Sequence, residues 1–130
     1  MTEVRLVKTV LVIDDEELNL KLVALMLAGE GFRVITSTSA EEGLELLRRE
    51  TPNVILMDIR LGGMDGLEAT RRIKADPTYA SIPIIAVSAY AMEEDRVRAA
   101  HAGCSHYLTK PFSKKDLLET VKRLSAFENG

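Results

Sequence analysis

The stretch Val10–Glu17, VLVIDDEE, joins an apolar run to four consecutive acids. Four aliphatic residues without a polar break are typical of a strand that helices cover on both faces. A carboxylate next to such a strand is costly to bury without a partner. Asp14 and Asp15 therefore either cap the following helix or hold a cation between them, and the rest of the chain has to distinguish these two interpretations.

Further short apolar runs recur along the chain, and helix-length segments separate them. This alternation predicts βαβ units and a parallel sheet. Capping patterns that begin at Ser39, Asp65 and Ser113 support three of the helices. We therefore predict one doubly wound (βα)₅ domain. Its predicted strands are Val10–Ile13, Phe32–Ile35, Val54–Met57, Ile84–Val87 and a short one at Tyr107 and Leu108.

Length and composition narrow the class of protein. The chain has 130 residues, of which 46% are hydrophobic and 28% charged, as is usual for one soluble globular domain. A formal net charge of −3 argues against electrostatic binding to nucleic acid or to an anionic membrane. A single cysteine, Cys104, excludes an internal disulfide, and no segment reaches the roughly 20 apolar residues of a membrane span. We expect one cytoplasmic domain, with its core at about residues 8–125 and no output domain.

Polar residues stand at the carboxyl ends of four predicted strands. Asp14 and Asp15 end the first strand, Asp58 the third, Ser88 the fourth and Lys110 the fifth. The carboxyl ends of parallel strands meet at one edge of the sheet, where ligands bind. We therefore expect three carboxylates, one hydroxyl and one ammonium to converge there.

The chemistry of this group predicts a metal and an anion. Three neighbouring carboxylates cannot all stay ionised without a counter-charge, and a ligand set of oxygens favours Mg²⁺. The absence of His and Cys from the group argues against zinc. A lysine opposite the carboxylates leaves space for an anion between metal and ammonium, and a phosphoryl group fits that space.

Four motifs, VLVIDDEE, VILMDIRLGGMDGLE, IIAVSAY and YLTKPF, resemble the receiver domain of two-component response regulators. The resemblance covers roughly Thr9–Leu124, and the chain looks closest to single-domain receivers of the DivK type. It implies a flavodoxin-like fold with a five-stranded parallel sheet in the order 2-1-3-4-5. It also implies a signalling protein rather than an enzyme, one that at most catalyses its own phosphorylation and dephosphorylation.

The resemblance implies a role for each matching residue. Asp58 would accept the phosphoryl group, Lys110 would pair with one phosphoryl oxygen and Ser88 would hydrogen-bond another. Tyr107 would then turn inward and change the face formed by helix four, strand five and helix five. The residues that would hold Mg²⁺ are Asp14, Asp15, Asp58 and, through its backbone carbonyl, Arg60. The peptide bond between Lys110 and Pro111 is typically cis in this family.

The partners that the resemblance implies are proteins. A histidine kinase or phosphotransfer protein would supply the phosphoryl group, and a downstream protein target would read the changed face. No direct contact with nucleic acid and no membrane insertion is expected. The chain would be a monomer or a phosphorylation-dependent dimer.

Some positions depart from the common pattern of the family or vary within it. Gly62 and Gly63 follow the phosphoacceptor strand where many members have a proline, which predicts a more mobile loop. Ser88 replaces the common threonine and keeps its hydroxyl. Arg60 and Tyr90 lie at variable positions, which in this family tune the lifetime of the phosphoryl group.

Other functions stay open at this point. The chain could be a pseudo-receiver that only binds partners, or a receiver cut from a larger hybrid kinase. It could also be a Mg²⁺-dependent aspartyl phosphohydrolase, although that class usually has a second Asp where this chain has Arg60.

We expect structural roles for the residues outside the predicted site. These are surface positions for His101 and His106 on helix four and its exit, a core position for Cys104, core filling by the methionines and a helix start at Asp65-Gly66.

Overall fold

The computed structural model describes residues 7–61, 63–90 and 92–126. Strands and helices alternate strictly along this part of the chain. Their bounds are β1 (Thr9–Ile13), α1 (Glu17–Ala28), β2 (Arg33–Ser37), α2 (Ala40–Arg49), β3 (Val54–Asp58), α3 (Gly66–Ala75), β4 (Ile84–Ser88), α4 (Glu93–Ala102), β5 (His106–Thr109) and α5 (Lys114–Ser125).

The strands form one parallel sheet in the order β2-β1-β3-β4-β5. The predicted fold and strand order are therefore confirmed. The order reverses at β1, which pairs with β2 on one side and with β3 on the other. Ligands of doubly wound sheets bind beside such a reversal, at the carboxyl ends of the strands. In this protein that place lies between the ends of β1 and β3.

Alternate residues of each strand enter cores on opposite faces of the sheet, as the pleat of a strand requires. Val10 and Val12 pack with apolar residues of α1 and α5. Leu11 and Ile13 pack with apolar residues of α2 and α3. Each fully buried aliphatic side chain contributes about 1.5–3 kcal/mol. Burial on both faces explains why the strands lack polar breaks.

The predicted helix starts are confirmed. The side chains of Ser39, Asp65 and Ser113 are the N-caps of α2, α3 and α5. Each accepts a hydrogen bond from the backbone N–H three residues later, at 3.1, 2.8 and 3.0 Å respectively. Such a cap stabilises a helix by about 1 kcal/mol.

The structure differs from the sequence-based expectation at the sheet edges. β2 spans Arg33–Ser37 instead of Phe32–Ile35, and β5 already begins at His106. The placement of His106 at the exit of α4 was therefore wrong.

Two expectations outside the sheet also need comment. Met92, like the other methionines, was expected to fill the core, but it is 61% exposed. Gly62, part of the loop expected to be mobile, lies outside the described residues.

Two further observations concern Cys104 and the membrane. Cys104 is partly buried and packs against apolar core residues, as expected for a small residue beside β5. Within the described ranges, none of the helices combines the length and the hydropathy needed to cross a membrane.

Candidate functional site

Three carboxylates meet at the edge where the strand order reverses. Asp14 and Asp15 follow β1, and Asp58 is the last residue of β3. One oxygen from each carboxylate lies within 4.8 Å of the others. Asp14 and Asp58 are each only 6% exposed, whereas Asp15 is open to solvent. The predicted convergence of the three acids is confirmed.

Backbone N–H groups fix two of these acids in the same way. The Oδ1 atom of Asp14 accepts a hydrogen bond from the N–H of Glu16, and that of Asp58 accepts one from the N–H of Arg60, both at 2.9 Å. The N-cap of α1 is Glu16, which makes no capping hydrogen bond with its side chain. Asp14 and Asp15 therefore do not serve as the cap of this helix.

Lys110 supplies the positive charge opposite the acids. Its Nζ atom lies 3.0 Å from Oδ2 of Asp14 and 3.2 Å from Oδ2 of Asp58, and its side chain is 22% exposed. The backbone N–H of Lys110 donates to the carbonyl of Ser88 at 2.8 Å, which ties the end of β5 to the end of β4. The peptide bond from Lys110 to Pro111 is cis.

The pKa values reflect two acids that share one ammonium. Burial raises the pKa of the Asp58 carboxyl to about 6, and the charge of Asp14 adds to this, while the N–H of Arg60 and the ammonium of Lys110 oppose it. Burial works to lower the pKa of Lys110, but its hydrogen bonds and charge interactions with the two acids hold that pKa above the usual value. The site therefore keeps its cation and carries excess negative charge when both acids are ionised.

Ser88 and Tyr107 lie next to this group. Ser88 is 1% exposed and follows Val87, which is the register partner of Asp58 between β3 and β4. The Ser88 hydroxyl oxygen accepts a hydrogen bond from the N–H of Tyr90 at 3.1 Å. The Tyr107 hydroxyl donates to the carbonyl of Tyr90 at 2.5 Å. The loop after β4 thus joins the acidic edge to β5.

A family model of the response regulator receiver domain matches residues 10–122. The chain belongs to this family. A curated relative, the polar-differentiation response regulator DivK of Brucella ovis, is 41% identical over 115 residues, which cover 88% of this chain and 94% of the relative. The resemblance inferred from the motifs is therefore confirmed.

Solved receiver structures share the fold. A putative response regulator from Chloroflexus aurantiacus is 29% identical and has a TM-score of 0.89, with coverage of 93% of this chain and 99% of that one. The receiver domain of a sensor histidine kinase from Pseudomonas aeruginosa is 32% identical and has a TM-score of 0.86, with coverage of 94% and 100%. That structure contains a magnesium ion coordinated in its active-site cleft.

This receiver domain has two contacts between an arginine and an aromatic ring that were not predicted from the sequence. The guanidinium of Arg60 lies 4.2 Å from the centre of the Tyr90 ring, in the geometry of a cation–π interaction. The guanidinium of Arg96 lies 5.0 Å from the centre of the Tyr107 ring. Both arginines are visible as charges in the sequence, but contacts between residues of separate elements leave no periodic pattern that could reveal them.

Gly66 supports the site from behind, although no part in it was predicted for this residue. A Cβ atom on this first residue of α3 would lie 2.2 Å from the carbonyl oxygen of Asp58 and 2.7 Å from the Cα atom of Ile59. Both are backbone atoms, so they cannot move aside as a flexible side chain could. Gly66 therefore permits α3 to begin directly behind the backbone of Asp58. The dipeptide Asp65-Gly66 was the only sequence signal, and it indicated merely a helix start.

An apolar groove of about 410 Å³ opens beside the acids. Its walls include Leu22 and Met26 of α1 and Phe112 after β5, and its polar end contains Asp58 and Lys110. The outer face of α1 carries three exposed leucines at helical spacing, Leu18, Leu22 and Leu25, which are 67%, 47% and 72% exposed. This receiver domain thus presents an apolar surface next to its acidic edge.

Proposed function

We propose that this receiver domain is a phosphorylation-controlled signalling switch in which Asp58 is the phosphoacceptor. The observation that carries the proposal is the position of the Asp58 carboxylate. Oδ1 is held by the N–H of Arg60 at 2.9 Å, and Oδ2 lies 3.2 Å from the ammonium of Lys110. A fixed carboxylate beside a fixed cation suits a nucleophile that receives an anionic group.

The phosphoryl donor would be a phosphohistidine of a histidine kinase or of a phosphotransfer protein. An Asp58 oxygen forms a new bond to phosphorus while the bond from phosphorus to the imidazole nitrogen breaks, and the electron pair of the broken bond stays on that nitrogen. Lys110 pairs with one phosphoryl oxygen and the Ser88 hydroxyl donates to another. Because its pKa is about 6, Asp58 is mostly ionised at neutral pH and available for attack.

The donor set fits Mg²⁺. Three carboxylate oxygens lie within 4.8 Å of one another, and all are hard ligands of the kind that this ion prefers. Asp14, Asp15, Asp58 and the backbone carbonyl of Arg60 would hold it. The bound ion would neutralise charge on the phosphoryl oxygens. The magnesium in the similar Pseudomonas aeruginosa receiver supports this proposal.

The phosphodonor would dock against α1. The exposed leucines of α1 and the apolar groove adjoin the acids, so a helical partner could bury them while its histidine approaches Asp58. Apolar side chains offer no positive charge to the phosphates of nucleic acid, so we propose a protein as the partner at this surface. We propose a cytoplasmic location, since a single free thiol at Cys104 suits a reducing compartment.

The output would leave through the face of α4, β5 and α5. Inward motion of Ser88 toward the phosphoryl group would pull the loop that carries Tyr90 and so release Tyr107 to turn. A bias of a few kcal/mol between two packings is enough to shift most molecules from one to the other. A downstream protein, or a second copy in a phosphorylation-dependent dimer, would read the change, and the unphosphorylated chain would be a monomer.

Two alternative functions receive less support. An aspartyl phosphohydrolase would need a general acid near Asp58, but the corresponding side chain is Arg60, which does not give up its proton at physiological pH. A pseudo-receiver would not need the complete set of Asp58, Ser88 and Lys110. The ion pairs of Lys110 with two buried acids have no evident use in a pseudo-receiver, whereas a phosphoacceptor needs a cation beside its carboxylate.

Intact-mass measurement after incubation with acetyl phosphate, with and without Mg²⁺, tests the proposal. We expect the wild type to gain one phosphoryl group only with Mg²⁺, and Asp58→Asn to gain none. Asp116→Asn, a change at an exposed acid of α5, should behave as the wild type. If the wild type gains no phosphoryl group from acetyl phosphate or from a phosphorylated donor protein, the chain is a pseudo-receiver.

A further inference from the structure

Stacked side chains connect the acidic edge with β5. The Arg60 guanidinium covers the Tyr90 ring at 4.2 Å, and the Tyr90 carbonyl accepts the hydroxyl hydrogen of Tyr107 at 2.5 Å. The Arg96 guanidinium covers the other aromatic ring, that of Tyr107, at 5.0 Å and donates to the Thr109 hydroxyl at 3.3 Å. Contacts therefore run without a gap from the loop after β3 to the surface of α4 and β5.

Arg60 contacts both the acidic edge and the Tyr90 ring, the first through its backbone and the second through its side chain. Its backbone N–H holds Oδ1 of Asp58 at 2.9 Å, while its guanidinium rests on Tyr90. Among the described residues, Arg60 forms no ion pair with an acid. Within this part of the chain, the positive charge of Arg60 therefore interacts with the Tyr90 ring instead of an acid, next to the proposed phosphoacceptor.

We propose that Arg60 is a positioning residue for Tyr107: its guanidinium holds Tyr90 in place, and the Tyr90 carbonyl in turn holds the hydroxyl of Tyr107. A phosphoryl group on Asp58 would then act on Tyr107 through Arg60 as well as through Ser88. This part of the inference rests on the proposed function. The contact of Arg60 with Tyr90 and its effect on Tyr107 in the unphosphorylated protein do not.

The phosphoryl group on Asp58 and the Tyr90 ring would compete for the Arg60 guanidinium, and charge decides which of them it contacts. A phosphoryl group adds almost two negative charges and three strong acceptor oxygens beside Asp58. Charge-assisted hydrogen bonds from guanidinium to phosphoryl oxygens are stronger than a cation–π contact at an exposed site. The guanidinium is therefore drawn away from Tyr90, whose loop loses the side chain that covered it, and Tyr107 loses a fixed acceptor.

Incorporation of 3-fluorotyrosine makes the position of Tyr107 measurable by ¹⁹F NMR. The chain has three tyrosines, Tyr79, Tyr90 and Tyr107, so replacing each with Phe assigns the resonances. Tyr79 packs against the core formed by the sheet, α2 and α3, away from the contacts of Arg60, and its resonance reports whether the fold is intact. All first measurements use unphosphorylated protein.

We expect Arg60→Met to move the Tyr107 resonance by more than its line width while the Tyr79 resonance stays in place. Tyr90→Ala should produce a similar displacement, and the double variant should add little to either, since both changes break the same connection. Tyr90→Phe keeps the ring and the carbonyl and should leave Tyr107 unmoved. Arg71→Met removes an equal charge from the exposed surface of α3, where Arg71 pairs with Glu68, and should also have no effect.

Phosphorylated protein provides the second comparison. In Arg60→Met the displacement of Tyr107 on phosphorylation should be smaller than in the wild type, at equal occupancy of Asp58 by intact mass. An unmoved Tyr107 resonance in unphosphorylated Arg60→Met would overturn the positioning role, whether or not Asp58 accepts a phosphoryl group. A wild-type protein that is never phosphorylated would instead refute the proposed function and leave the first comparison valid.

Discussion

The Nζ atom of Lys110 lies 3.2 Å from Oδ2 of Asp58, although the two residues are 52 positions apart in the chain. The same ammonium lies 3.0 Å from Oδ2 of Asp14, so one cation serves two buried acids. Removing one member of such a group leaves charge without compensation. The three side chains therefore form one electrostatic unit, and the predicted effect of each substitution depends on the partners that remain.

Lys110→Met tests the part of the ammonium in transfer. We expect phosphorylation of Asp58 to slow by about 100-fold, the loss that follows removal of one fixed positive group from a transition state. Mg²⁺ should bind at least as tightly as in the wild type, because the acids lose a competing cation. Intact-mass time courses and calorimetric titration measure the two quantities. Lys114→Met, at an exposed residue of α5, is the control. A Lys110→Met variant that is phosphorylated slowly and also binds Mg²⁺ more weakly than the wild type would contradict the prediction.

Asp15→Asn separates metal binding from folding. Asp15 is exposed and, within the described part of the chain, makes no hydrogen bond or ion pair, so its removal should change the free energy of unfolding by less than about 0.5 kcal/mol. We expect the Mg²⁺ dissociation constant to rise by about tenfold or more. Urea unfolding in EDTA and titration with Mg²⁺ provide the measurements. An unchanged dissociation constant would show that Asp15 is not a ligand.

The fold was predictable because burial on both faces makes the central strands continuously apolar. The edge strands were harder to define. Thr36 and Ser37 are polar, but β2 continues through them because they pair with Val12 and Ile13 of β1. His106 belongs to β5 through its pairing with Ile85. At the edges of a sheet, hydrogen bonding to the neighbouring strand sets the bounds, and apolarity alone does not reveal them.

The same contrast holds for the site. Asp14, Asp15 and Asp58 could be brought together from the sequence because the carboxyl ends of parallel strands share one edge. The stack of Arg60 on Tyr90 and the packing of Gly66 behind Asp58 depend on the paths of loops in space. Loop geometry has no period in the sequence, so only the structure could reveal these two features.

Gly66→Ala tests the close approach of α3 to β3. A methyl group at this position would overlap the backbone of Asp58 and Ile59, so we expect a loss of about 1–3 kcal/mol in the free energy of unfolding. The displaced Asp58 should also accept phosphoryl groups more slowly. The control is Gly29→Ala at the end of α1, where φ is −61° and the nearest contact of the new methyl group would be 3.3 Å. Equal losses in the two variants, by urea unfolding, would contradict the prediction.

His106 should make stability depend on pH. Burial lowers its pKa from the usual 6.5, and the charges of Arg123 and Arg96 lower it further. The unfolded chain therefore binds a proton at this residue at a higher pH than the folded chain does. Stability rises with pH while the unfolded state holds more protons, so this contribution is complete above pH 6.5 and is lost as the pH falls toward the folded-state pKa.

We therefore expect His106→Gln to flatten the pH dependence of unfolding between about pH 7 and pH 5, a range set by the ordinary pKa of histidine. Asp58, with a pKa raised to about 6, contributes with the opposite sign in the same range, so the informative quantity is the difference between variant and wild type in EDTA. His101→Gln, on the exposed surface of α4, should retain the wild-type dependence. NMR titration of the His106 ring gives an independent check, since a pKa at or above 6.5 would remove the basis of the prediction.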